Sequence, residues 1–269
     1  MTETRDYAYT KSQAMLAKLQ RDIPKLIGLA GPLLVGQLAV IAFGVMDTAM
    51  VARYSADDLA ALAMASSVFI SIYVGLTGVV SALAPIAGQL FGAKRFDEIG
   101  EEVRQGWWLS LGLSLFGILI LANPEILLSI ANANPEVEAK AILYLQIVAW
   151  GLPASMAMRV LVAFHNAVSK PTVITWLQII GLLFKVPLNA WLIYGGLGID
   201  PMGGPGCALA TVVINWLWLI AALWIVYQGK FYRIFAVYQR FSWPDSHKIG
   251  TLLKLGLPIG LSYLIEVTS

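Results

Sequence analysis

The sequence predicts an all-α polytopic membrane protein, and three observations predict it. Hydrophobic residues fill 58% of the 269 positions while Asp, Glu, Lys and Arg fill 13%, about half the charged share of a water-soluble domain. Several uninterrupted apolar runs reach the roughly 20 residues that cross a hydrocarbon core. Those runs are rich in Leu, Ala, Ile and Gly and lack the alternation of a barrel strand. Lipid offers backbone N–H and C=O groups no partners, so a span is either a helix or part of a closed barrel. The patterning selects helices.

Seven spans follow in order. Positions 24–50 form the first, opening at Pro24 after a polar segment of mixed charge that lacks the apolar stretch and cleavage pattern of a signal peptide. The second covers 57–90, the third 103–121 and the fourth 137–165. The fifth covers 172–197, just after Pro171, and the sixth runs from Pro205 to Tyr227. A seventh begins near Lys248 and continues to Ser269. Pro24, Pro171 and Pro205 sit at or just before a first turn, where a missing N–H costs nothing. Pro32, Pro85, Pro153, Pro187 and Pro258 fall inside spans, where local kinks are expected and neighbouring groups must satisfy the freed carbonyls.

The distribution of Lys and Arg sets the orientation. With the N-terminus inside, the inner segments hold thirteen of them, from Arg5 to Lys248, and the outer loops hold Arg53 and Lys140 alone. The chain is therefore expected in an inner (plasma) membrane with a cytoplasmic N-terminus. The basic, aromatic stretch from Lys230 to Trp243 then lies on the cytoplasmic side, as an amphipathic segment resting at the lipid interface.

An internal repeat divides the chain. Leu26, Leu29, Pro32 and Leu38 recur in register as Leu252, Leu255, Pro258 and Leu264. Both segments start from the same side with six spans between their starts, the parallel arrangement of two bundles about an axis normal to the membrane. The division is a cytoplasmic segment 1–23, a six-helix lobe 24–228, a cytoplasmic linker 229–247, and positions 248–269 as the first helix of a second lobe. On this reading the chain looks truncated, and its missing C-terminal lobe is its main partner besides lipid.

Polar side chains inside spans are the candidates for function, because a central charge costs about 2.5–3.5 kcal/mol on insertion scales. Asp47 lies far along span 1, and position alone leaves open whether it is a solvated acid at the outer interface or a cavity group. Glu266 lies among Leu264, Ile265 and Val267 in span 7. Gln178, Lys185 and Asn189 in span 5 are seven and four apart, hence on one stripe. A lysine held there must be paired or neutral; the bland alternative is a lysine that locks the bundle by bonding an acid or carbonyl of a neighbouring helix. Thr211 and Asn215 form an i, i+4 pair in span 6, equally suited to interhelical hydrogen bonds. With Gln37 these residues make the expected cavity lining. Arg159 and Asn166 are expected to snorkel or to close the inner face.

Other chemistries find little footing. Cys207 is the only cysteine, which rules out an internal disulfide and paired-thiol metal sites. His165 and His247 fall at span ends with no second ligand at metal spacing. No Gly-rich phosphate loop appears, so neither an enzyme nor direct ATP coupling is expected. The basic residues follow loop topology and form no nucleic-acid face. No cofactor is implied.

Several motifs carry a family resemblance. Met46–Arg53 (MDTAMVAR) with Asp57–Ala63 (DDLAALA) resembles the first-helix signature of multidrug and toxic compound extrusion (MATE) transporters. Gln89–Arg95 (QLFGAKR) is similar to that family's motif after helix 2. The stretch from Phe231 through Trp243–Pro244 to Leu252–Gly260 resembles the NorM-like bacterial branch entering helix 7. The likeness runs from about Ile23 to Ser269.

The resemblance implies twelve helices in two six-helix lobes, and exchange of H⁺ or Na⁺ for small, mostly cationic organic compounds. It gives Asp47 the part of the helix 1 acid in proton coupling or substrate binding. Glu266 becomes the helix 7 acid, with Na⁺ there as the one metal. Asn189 becomes a cavity-lining amide. Lys185 departs from the pattern: many relatives carry an amide there, and a fixed positive charge opposes both a cationic cargo and bound Na⁺. Two other readings stay open. A lipid-precursor flippase of similar architecture would use a more basic cavity, which Lys185 and Arg159 allow. An inactive membrane fragment is the other, since half of a two-lobe transporter cannot form the cavity between lobes.

Overall fold

The structure, a computed structural model, describes residues 2–128, 134–196, 198–239 and 241–268. Among the described residues it is built of helices: α1 (Thr2–Tyr54), α2 (Ala56–Ser81), α3 (Leu83–Gly92), α4 (Phe96–Leu121), a single turn α5 (Glu125–Leu128), α6 (Pro135–Ala149), α7 (Leu152–Ala167), α8 (Pro171–Tyr194), α9 (Gly203–Gln228) and α10 (Ser246–Thr268). Six segments are long and apolar enough to cross a membrane, or seven with α6 and α7 taken as one span bent by 50°. This is a multi-pass helical membrane protein with the seven spans that hydropathy predicts.

The helix ends have local causes. Ser55 stops the long α1 and its hydroxyl accepts from the Asp58 amide, capping α2. Asn134 caps α6 in the same way through the Glu136 amide. Kinks were expected at five prolines, and the helices break beside two of them. Ala82 separates α2 from α3 ahead of Pro85, and Trp150–Gly151 separates α6 from α7 ahead of Pro153. Pro32, Pro187 and Pro258 lie within uninterrupted helices. A proline removes one ladder bond, and the flanking turns of a long apolar helix hold the rest.

Two apolar clusters plug the lobe at opposite ends. One gathers Val51, Ala61, Leu121, Val137, Ile193 and Cys207 where α1, α4 and α8 finish and α2, α6 and α9 begin. The other gathers Leu83, Ile99, Phe164, Ile174, Val226 and Phe235 at the end that carries the linker. Outward-facing side chains such as Leu119, Leu183 and Trp224 are more than 60% exposed, as suits a surface solvated by lipid tails.

The linker does more than rest at an interface. Its 3₁₀ turn, Lys230–Phe235, drives Tyr232 and Phe235 into the linker-end core, while Phe241 and Trp243 remain exposed. Arg104 on α4 reaches across to donate to the Ala236 and Val237 carbonyls at 2.8 and 3.3 Å and to Oγ of Ser242 at 2.7 Å. The stretch is amphipathic as expected, with Tyr232, Phe235 and Val237 spent on protein and Ile234, Phe241 and Trp243 left facing outward. Burial pushes the Tyr238 phenol up to about 12, and its hydroxyl donates to the Leu223 carbonyl. Beyond the linker, α10 lies tightly along α2: a Cβ on Gly78 would collide with the Gly260 backbone, and one on Gly256 with the Val79 carbonyl.

Candidate substrate and ion-coupling site

Between the two plugs the helices leave a cavity of about 380 Å³, lined by residues of α1, α2, α6, α7, α8 and α9. Asp47 projects into it from α1. Nζ of Lys185, on α8, donates to Oδ2 of Asp47 at 2.6 Å and to Oγ1 of Thr211 at 3.0 Å. Nδ2 of Asn189, one turn further along α8, donates to Oδ1 of the same carboxylate at 2.6 Å. Lys185 is 2% exposed and Asn189 fully buried.

The ammonium also sits 4.8 Å from the centroid of the Phe43 ring, on the face that attracts a cation. Charges so buried persist only when paired and hydrogen-bonded, and this pair satisfies both demands. Among the described residues Oδ1 of Asn189 has no hydrogen-bond donor, which leaves an acceptor beside a carboxylate.

The stripe on α8 is put to two uses. Lys185 and Asn189 turn to Asp47, whereas Gln178 sits on the wall between this cavity and a second one. Gly36 makes room for it, since a Cβ there would strike Oε1 of Gln178. The second cavity, also about 380 Å³, is lined by Gln37, Arg159, Asn166, Gln178 and Tyr263 among others. Thr211 and Asn215 both line the first cavity; Asn215 donates to Oγ of Ser155 at 2.9 Å, tying α9 to α7. Glu266 occupies the exposed last part of α10 and lines neither cavity.

Arg159 was expected to snorkel or to close the inner face, and of these it does not snorkel. Its Nε donates to the Tyr73 hydroxyl at 3.1 Å with the guanidinium 5.5 Å from that ring's centroid, and it lines both cavities. The bend between α6 and α7 turns this stretch inward, so the side chain meets α2 before it can reach an interface. Sequence reasoning also passed over the aromatic wall. Phe69 stacks on Tyr73 at 5.5 Å, and Trp218 meets Phe43 edge-on at 4.9 Å. Gly181 makes the second contact feasible, because a Cβ on it would collide with the Trp218 indole. Aromatics are common throughout this chain, and only the need of Arg159 for a partner could have singled out Tyr73.

At the far end of the lobe, Asp58 accepts from Lys140 at 2.9 Å and from the Gly204 amide at 2.8 Å. This acid joins α2, α6 and the start of α9 and stands outside the cavity. Among the described residues no group of three or more His, Cys, Asp or Glu could hold a metal ion.

Comparison with known proteins agrees with this architecture. Residues 32–191 match the MatE family model. The chain is 38% identical over 240 residues to the probable multidrug resistance protein NorM of Aromatoleum aromaticum, covering 89% of this chain and 52% of that protein. It is 35% identical over 250 residues to the multidrug resistance protein PmpM of Pseudomonas aeruginosa, covering 93% and 52%. Its fold is similar to the crystal structure of the eukaryotic MATE transporter AtDTX14, with TM-score 0.80 at 21% identity, covering 93% of this chain and 55% of that one. The chain thus spans about half the length of the curated relatives it matches. Helices, order of spans and family match converge: the chain belongs to the MatE family of multidrug and toxic compound extrusion transporters.

Proposed function

We propose that this chain is the first lobe of a secondary exporter of small organic compounds in the bacterial inner membrane, driven by H⁺ or Na⁺. One observation carries the reading: a carboxylate in the wall of a cavity inside the helix bundle, held by one ammonium and one amide from a single facing helix. A proton or cation taken up by Asp47 would loosen the grip of Lys185 and Asn189 and so alter how α1 sits on α8. Antiport requires the ion to bind the two shapes of the transporter with different affinity, because equal affinity shifts no population. Asp47 supplies that difference in this lobe, and Oδ1 of Asn189 supplies a further acceptor. Glu266 on α10 is assigned the corresponding role beside the second lobe, with Na⁺ as its ion.

The test is efflux of a fluorescent compound from everted vesicles of cells expressing the complete gene. Asp47→Asn is expected to abolish ion-driven efflux and Glu266→Gln to weaken it severely, with each rate normalised to the amount of folded protein in the vesicles. Parental rates in both variants would end the assignment. Residues 1–269 alone are expected to show no transport in proteoliposomes, since the cavity between lobes needs both.

A further inference from the structure

The cavity described above is electrically unlike one built for a cation. Among the described residues of this chain, its lining, together with that of the adjoining cavity, carries a single carboxylate, Asp47, against two cations, Lys185 and Arg159. The carboxylate is already engaged by Lys185 and Asn189. Arg159 is in the opposite state. Among the described residues its hydrogen-bond partner is the neutral Tyr73 hydroxyl, and no carboxylate lies within ion-pairing distance of it. Facing it from the other elements are neutral groups: Ser81 and Tyr73 of α2, Gln37 of α1, Thr175 and Gln178 of α8, and Tyr263 of α10.

A guanidinium is a planar fork of five donors that matches a carboxylate or phosphate and cannot shed its charge. Leaving one inside a bundle without an acid is costly unless an anion arrives. The space beside it is flanked by stacked Phe69 and Tyr73, with Phe43 and Trp218 on the facing wall.

We propose that Arg159, braced by Tyr73, is an anion-binding subsite, and that the cargo is an aromatic or similarly apolar amphiphile bearing a carboxylate or phosphate. This rests on the exporter reading and replaces its mostly cationic substrate class. Lys185 contributes by cancelling Asp47 and so keeping the cavity positive. The anionic group belongs either to a free organic acid or to a lipid headgroup, and the binding chemistry at Arg159 is the same for both.

Equilibrium dialysis of the purified protein in detergent tests this with three probes: 2-naphthoate, its isostere 2-naphthylmethylammonium, and dihexanoyl phosphatidate. At least one of the two anions is expected to bind about tenfold tighter than the ammonium, as one charge-assisted hydrogen-bonded pair would give. Which anion does so identifies the source. Arg159→Gln is expected to erase the preference and Arg159→Lys to keep much of it. If Arg159→Gln fails to fold, the wild-type ranking of the two isosteres still decides. Tighter binding of the ammonium, binding of neither anion, or an anion affinity indifferent to Arg159→Gln overturns the subsite. The exporter reading is judged separately, by Asp47-dependent efflux of either 2-naphthoate or ethidium: efflux of ethidium without anion binding sinks the subsite alone, and anion binding without efflux of either compound sinks the exporter alone.

Discussion

At the scale of single residues the molecule turns on Lys185. The sequence shows that a lysine in mid-span needs a partner, and it offers an acid on a neighbouring helix as one solution. It cannot say which acid, because Asp47 lies 138 positions away and only the packing of α1 on α8 brings the two together. The spacing of Gln178, Lys185 and Asn189 was legible as a stripe; the place of Gln178 on the wall shared by two cavities was not, since that depends on the room Gly36 leaves on α1. The pair makes a sharp energetic prediction. Lys185→Met leaves a buried carboxylate uncompensated and is expected to destabilise the lobe by about 3–5 kcal/mol, whereas Asp47→Leu combined with Lys185→Met removes both charges and restores most of that loss. Thermal unfolding in detergent of both single variants and the double variant measures it. Strictly additive losses would mean that the two charges do not interact across the cavity.

Individual elements were the most legible level, for a plain reason. Hydropathy over 20 residues fixes the existence of a span, because no other structure satisfies the backbone in lipid. Where two helices touch is a different matter, governed by side-chain volume. The close approach of α2 and α10 depends on Gly75, Gly78, Gly256 and Gly260, scattered in sequence among 24 glycines. A Cβ built on Gly75 lies 3.0 Å from Cγ of Leu264, close to the separation of about 3 Å between a Cβ and the opposite sulfur in a disulfide of ordinary geometry. Gly75→Cys with Leu264→Cys, in a Cys207→Ala background, is therefore expected to cross-link rapidly under mild oxidation. Adding Gly78→Leu drives a side chain into the Gly260 backbone and is expected to slow the cross-link at least tenfold, as about 1–3 kcal/mol of overpacking implies. Band shifts on a denaturing gel report both. A cross-link that forms as fast with Gly78→Leu added as without it would refute this packing.

For the whole molecule, the question is how the linker transmits movement between α10 and the first lobe. Its composition suggested a segment lying on lipid, and half of it does face outward; the half that enters the core was hidden because an aromatic suits a membrane interface as well as a protein interior. The structure resolves the choice through Arg104, whose guanidinium also bonds Glu101 at 2.6 Å and thereby gathers α4, the 3₁₀ turn and Ser242 around one charge. Gln105 and Trp108 extend the hold, donating to the Trp243 and Ser242 carbonyls at 3.0 and 2.9 Å. A linker bonded this way moves with α4, so any rotation of α10 must be carried by the first lobe or must break these bonds. Removing the fork leaves the Ala236 and Val237 carbonyls unsatisfied at about 1–3 kcal/mol each, enough to detach the segment locally without unfolding the bundle. Trypsin is accordingly expected to cut after Arg233 on Arg104→Met much faster than on the wild type, with Arg104→Lys between them because an ammonium cannot reproduce the fork. Cleavage at equal rates in all three proteins, with their melting temperatures matched, would show that the linker is held by its buried aromatics alone and that Arg104 plays no part in joining the lobe to α10.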